Sequence, residues 1–98
     1  MPSIEYSYQA IADVENIFES ILQDKPTVAS EYITKLEHYI DLLKTNAQMG
    51  VKCRNRDIEF DCRILVYDEY KIFYQILNDI IYILRIVNSK QNSKNTKL

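Results

Sequence analysis

Hydrophobic positions change their period twice along this chain of 98 residues. The opening SIEYS lets Ile4 to Tyr6 form a short strand, with Ser7 placed to cap whatever follows. Ala10, Ile11, Val14, Ile17, Phe18, Ile21 and Leu22 then recur at three- and four-residue steps, which predicts an amphipathic helix to about Gln23. Asp24-Lys25-Pro26 breaks that pattern. Asp24 can cap the next helix, and Pro26 is tolerated in a first turn, where its missing N–H would lack a partner anyway. The same period returns at Ala29, Tyr32, Ile33, Leu36, Tyr39, Ile40 and Leu43 and fades through Lys44-Thr45-Asn46, so the first half reads as a helical hairpin. Gly50, the only glycine, follows Met49 where the chain must turn toward what comes next.

From Phe60 the pattern becomes β-rich. Phe60 to Tyr67 (FDCRILVY), Tyr70 to Leu77 (YKIFYQIL) and Ile80 to Val87 (IIYILRIV) are dense in β-branched and aromatic residues. Asp68-Glu69 and Asn78-Asp79 separate them, and Asn and Asp tolerate the positive φ of a two-residue hairpin loop. An antiparallel meander follows, with Tyr67 facing Tyr70 and Leu77 facing Ile80. Alternation then places Asp61, Arg63, Leu65, Tyr67, Tyr70, Ile72, Tyr74, Ile76, Ile81, Ile83, Arg85 and Val87 on one face. Phe60, Cys62, Ile64, Val66, Lys71, Phe73, Gln75, Leu77, Ile80, Tyr82, Leu84 and Ile86 take the other; with fewer charges, it is expected to form the core beneath the helices. The first face holds both strand arginines, with Tyr74 opposite Arg63. Such a face could hold a phosphate or carboxylate, because guanidinium donors bind planar oxyanions bidentately. Pairing of each arginine with a local carboxylate such as Asp61 is the plainer alternative and, for a sheet face alone, the preferred one.

Length and composition narrow the class. The chain fits one domain over 1–87 followed by a polar, lysine-bearing tail over 88–98 without apolar periodicity. Its 47% hydrophobic and 27% charged residues are ordinary for a globular protein. A formal net charge of −2 gives no global attraction to nucleic acid, so such binding would rest on a local basic patch such as Lys52, Arg54 and Arg56. With no basic-then-apolar N-terminal signal and no apolar run of membrane-spanning length, a cytoplasmic protein with reduced Cys53 and Cys62 and no membrane partner is expected. His38 falls within a helical pattern, and two cysteines with one histidine do not make a structural zinc site, so neither metal nor cofactor is expected.

Particular residues sharpen this reading. Tyr6-Ser7 with Ala10 and Asp13 opening the first helix, Ala29 and Leu43 in the second, Met49-Gly50, Arg63, the run Tyr70-x-Ile72-Phe73-Tyr74, and Ile83-Leu84-Arg85-Ile86 occur in this order over nearly the whole chain. In that order and spacing they resemble the RelE/ParE superfamily of toxins from bacterial type II toxin–antitoxin systems. The resemblance implies an α+β fold of order β-α-α-β-β-β, with a helical hairpin packed on a small antiparallel-rich sheet. It also implies a toxin that arrests its host cell unless a co-encoded antitoxin wraps it. RelE-like members enter the ribosomal A site and cut mRNA, using cationic residues and a tyrosine, histidine or glutamate for proton transfer. ParE-like members instead poison DNA gyrase.

Mapped onto this chain, the resemblance makes Arg63, Arg85 and Tyr74 the catalytic set of a nuclease, with Lys52, Arg54 and Arg56 holding RNA phosphates. Cleavage by the RNA's own 2′-hydroxyl also needs a base and an acid within hydrogen-bond reach. Where many members carry a histidine after the last strand this chain has Asn88, and the tail to Leu98 contains no Tyr, His, Asp or Glu. Only Tyr74, Tyr67, Glu59 or Asp61 could take over, and a tyrosine with its usual pKa of about 10 is a poor base unless nearby cations lower it. Gyrase inhibition is therefore placed ahead of mRNA cleavage. A third reading is an inactive homologue retained as an antitoxin-binding protein. Antitoxin contacts are expected at Tyr32, Tyr39, Leu65, Ile72 and Ile76, although inward packing is the plainer account of any one of them. Target contact is expected at the helical hairpin and the tail from Asn88.

Overall fold

The Ser7 hydroxyl decides where the first helix begins. In a computed structural model that describes residues 2–53 and 62–90, it accepts the Ala10 N–H at 3.0 Å and donates to the Leu84 carbonyl at 2.8 Å. One group thus caps the helix and pins it to the last strand. The elements run β1 (Ser3–Tyr6), α1 (Tyr8–Asp24), α2 (Ala29–Asp41) with a 3-10 turn at Leu42–Lys44, β2 (Val51–Lys52), β3 (Arg63–Tyr67), β4 (Tyr70–Leu77) and β5 (Ile80–Asn88). The α+β order expected from the chain is present, with β2 as an addition too short to leave a periodic signature.

The junction between the helices differs from expectation. Asp24 is the last residue of α1, Pro26 lies in the turn that follows, and α2 starts behind Val28 with no side-chain cap. Burial of Ala29 at 0% exposure sets that start, so packing rather than capping chemistry fixes it.

The strands form one mixed sheet of order β1-β5-β4-β3-β2, in which β1 runs parallel to β5 and the remaining neighbours are antiparallel. Both hairpin loops hold two residues, closing on Tyr67↔Tyr70 and Leu77↔Ile80. Asp68 (φ 53°) and Asn78 (φ 56°) supply the positive φ those loops need. Phe60 and Asp61 of the expected first run lie outside the described residues, as do Arg54, Arg56, Glu59 and the tail beyond Lys90.

The face beneath the helices is the opposite of the one expected. Leu65, Ile72, Tyr74, Ile81 and Ile83 pack against Ala10, Ile17, Leu36, Ile40 and Leu43. Counting charges is a poor guide here because Arg63 finds an acceptor in the Gly50 carbonyl at the sheet edge and Arg85 is set opposite Phe73 on the other face, which leaves the dense aliphatic centre free to be buried. A register shift also falls between Phe73 and Tyr74: Tyr74 pairs with Ile83 but Phe73 pairs with Arg85. The extra residue in β5 is a bulge, and it exchanges the faces of the positions beyond it. Ile86 thereby joins the helix-facing core, and Val87 joins a smaller cluster with Cys62 and Phe73.

The thiols expected to be free are joined. Continuing the β2–β3 register sets Cys53 against Cys62, their Cα atoms 5.3 Å apart, and the structure bonds them as a disulfide. Among the described residues no helix is long and apolar enough to cross a membrane.

Candidate functional site

Arg63 and Tyr74 face each other across β3 and β4, as the hairpin register requires. What they do there comes from a third segment. The Tyr74 side chain is fully buried, and its hydroxyl donates to the Ala47 carbonyl at 2.7 Å while accepting the Gly50 N–H at 2.9 Å. Arg63 Nη1 donates to the Gly50 carbonyl at 2.9 Å and to the Gln48 carbonyl at 3.5 Å. Together they hold the segment that carries the chain from α2 to the sheet edge. Gly50 is required by close approach rather than by turn geometry. A Cβ there would stand 2.7 Å from the Ile64 carbonyl oxygen and 2.8 Å from both the ring and the hydroxyl of Tyr74.

Arg85 is engaged elsewhere. Its Nε and Nη2 donate to the two carboxylate oxygens of Asp13 at 2.8 and 3.1 Å, and the Ile86 N–H donates to the same carboxylate at 2.8 Å. The hydrogen bond that Arg85 donates to Asp13 raises the Arg85 pKa further, against the opposing effect of burial. The pair lines a groove of roughly 350 Å³ shared with Asn16, Ser20, Tyr70 and Asn88. The carboxylate proposed for such a pairing, Asp61, lies outside the described residues. Asp13 is 72 residues from Arg85 in sequence, so no local pattern links the two; only its place near the start of α1 could have suggested the pairing.

The remaining predicted positions separate into interior and rim. Leu65 (4% exposed) and Ile72 (0%) are core, so neither offers surface to a partner. Tyr32 and Tyr39 are half-buried and pack against Tyr67, Tyr32 edge-on at a centroid distance of 6.1 Å and Tyr39 tilted at 5.0 Å. The Tyr32 hydroxyl donates to Asp68 at 2.7 Å. Burial, then that bond to Asp68, pushes the Tyr32 pKa upward. Burial followed by the charges of Glu69 and Asp68 does the same to Tyr70. Lys52 sits on the edge strand, and Asn88, which ends β5, accepts the Lys90 N–H through its side chain at 2.9 Å. Exposed apolar side chains include Tyr8 (93%) and Val51 (69%), which the periodicity did not single out, and Val66 (55%), which lies on the face expected to be core and is instead open to solvent. Among the described residues no group of three or more His, Cys, Asp or Glu could hold a metal ion.

Comparison with known proteins places this geometry. The family model for the ParE toxin of type II toxin-antitoxin system, parDE, matches residues 4–93. Among solved structures, a chain of the chromosomal ParDE TA system from P. aeruginosa matches with a TM-score of 0.76 over 90% of this chain and 96% of that one. At 20% identity the likeness is one of fold. No curated protein matches the chain.

Proposed function

We propose that this chain, which belongs to the ParE toxin family of type II toxin–antitoxin systems, arrests growth in the cytoplasm by inhibiting DNA gyrase. Its partner before release is the cognate antitoxin. The observation that carries the gyrase reading is the commitment of the Tyr74 hydroxyl to two backbone groups, Ala47 C=O and Gly50 N–H, inside the core. A nuclease must bring a base and an acid to the scissile phosphate. Tyr74 has no open path to one, Arg63 is turned to the Gly50 carbonyl, and Arg85 is clasped by Asp13. Tyr32 and Tyr70, with raised pKa values, hold their protons more tightly than a free tyrosine does. These features favour a protein that inhibits by binding. For the antitoxin, the half-buried Tyr32 and Tyr39 remain the contacts of choice, at the rim of the helical hairpin.

The test is a supercoiling assay with purified gyrase and the protein freed of antitoxin. Loss of supercoiling with accumulation of cleaved DNA is the expected result. Unaffected gyrase together with ribosome-dependent mRNA cleavage would overturn the reading in favour of an mRNA interferase using Lys52, Arg54 and Arg56. Absence of both activities, with unimpeded growth on expression, would mark an inactive homologue that only binds its antitoxin.

A further inference from the structure

The edge strand β2 is two residues long, and its exposed side chains contribute little to holding it. On its N-terminal side Gly50 is anchored by Tyr74 and Arg63. On its C-terminal side, among the described residues, the tie is Cys53. The ladder pairs Val51 with Ile64 and Lys52 with Arg63, and the next step brings the Cys53 N–H to the Cys62 carbonyl at 2.8 Å. The two sulfurs therefore sit directly across the strands, with Cα atoms 5.3 Å apart, within the span that a disulfide bridges without backbone movement. Their surroundings differ. Cys62 is 3% exposed, packed with Phe73 and Val87, whereas Cys53 is half-buried at the rim of that cluster.

We propose that Cys53 and Cys62 are a reversible thiol–disulfide pair that latches β2 onto β3. Oxidised, the latch keeps the edge closed over Arg63 and Ile64; reduced, residues 51–53 open locally and expose that edge of the sheet. A row of unpaired backbone groups on an edge strand is a template for pairing with another chain, so the redox state sets whether this edge is available. The co-reactant is a small disulfide of the glutathione type. In oxidation, the more accessible Cys53 thiolate attacks one sulfur of the small disulfide, forming a mixed disulfide and releasing one thiolate. The Cys62 thiolate then attacks the Cys53 sulfur, forming the internal bond and releasing the second thiolate. The two cysteine protons end on the two released thiols, and one disulfide has been exchanged for another. Reduction reverses the sequence, with attack at the sulfur of Cys53 because Cys62 is shielded.

The test uses the full chain equilibrated across ratios of reduced to oxidised glutathione, quenched by alkylation and weighed by mass spectrometry. In parallel, amide exchange is followed by NMR at Val51, Lys52 and Cys53. The two thiols should disappear together in one two-electron transition. Exchange at those amides should be about tenfold faster or more in the reduced protein, while Ile72 to Tyr74 stay unchanged. Cys53→Ser should exchange like the reduced protein at every glutathione ratio. Free thiols in fully oxidised glutathione, accumulation of a mixed glutathione adduct without an internal bridge, or equal exchange in the two redox states would each overturn the proposal, independently of whether the variant folds.

Discussion

Two backbone groups, the Ala47 carbonyl and the Gly50 N–H, depend on one side-chain atom, the Tyr74 hydroxyl. Removing that atom strands the Gly50 N–H in the interior and deprives the partly buried Ala47 carbonyl of its donor; an unsatisfied buried group costs about 1–3 kcal/mol and a lost ordinary hydrogen bond about 1 kcal/mol. Tyr74→Phe is therefore expected to lower the unfolding free energy by about 2–4 kcal/mol in urea denaturation, with gyrase inhibition per folded molecule unchanged. A catalytic Tyr74 would behave the other way, losing activity with little change in stability. Gly50→Ala attacks the same junction from the backbone. The added methyl meets the Ile64 carbonyl at 2.7 Å and the buried Tyr74 ring and hydroxyl at 2.8 Å, none of which is a flexible side-chain end. The same urea titration should show a loss at least as large as that of Tyr74→Phe. Asp13 offers a third test at this scale. Asp13→Ala leaves the Arg85 guanidinium and the Ile86 N–H without that carboxylate in a site where the two side chains are only 23% and 13% exposed. Partial exposure tempers the full cost of a broken buried pair, so a loss of about 2–3 kcal/mol is expected.

Between elements, the Ser7 hydroxyl performs two tasks, capping α1 and bonding the Leu84 carbonyl of β5. Ser7→Ala should cost about 1–2 kcal/mol and speed amide exchange in the first turn of α1, whereas a cap acting alone would leave β5 untouched. The elements themselves were readable because their signals are local: three- and four-residue steps on the helices, and Asp68 and Asn78 in loops that need positive φ. Pairing of Tyr67 with Tyr70 and of Arg63 with Tyr74 followed from those loops alone. What the sequence concealed is nonlocal. Which face of the sheet the helices cover depended on an acceptor for Arg63 from the loop before β2 and on the bulge that sets Arg85 opposite Phe73, with Asp13 of α1 as its partner. The bulge beyond Tyr74, which moved Ile86 into the core, has no turn residue to announce it. The same holds for the site: the juxtaposition of Arg63 and Tyr74 was legible, but its role was not, because Ala47, Gln48 and Gly50 supply the partners.

Three of the tyrosines tie the behaviour of the whole molecule to pH: Tyr6 on β1, Tyr32 on α2 and Tyr70 on β4. Burial, followed by the charges of Glu37 and Asp41, pushes Tyr6 up to about 12. Tyr32 and Tyr70 move in the same direction, also chiefly through burial. In the unfolded chain each would ionise near about 10, so between that pH and the folded value the native state binds protons that the unfolded state has released. Stability from these groups is thus fully present below about pH 10 and is lost as pH rises from there toward about 12 and beyond. Urea midpoints measured from pH 8 upward should stay level and then fall across that window, and Tyr6→Phe should make the fall shallower. The outcome also bears on chemistry, since a phenol that resists ionisation in the folded protein cannot accept a proton from an RNA hydroxyl at neutral pH. Midpoints that stay level throughout the alkaline range would mean that these phenols ionise as readily folded as unfolded. Even then an ordinary phenol pKa of about 10 would leave them protonated at neutral pH. A tyrosine base for RNA cleavage would still need nearby cations to lower it, and gyrase inhibition would keep its place ahead.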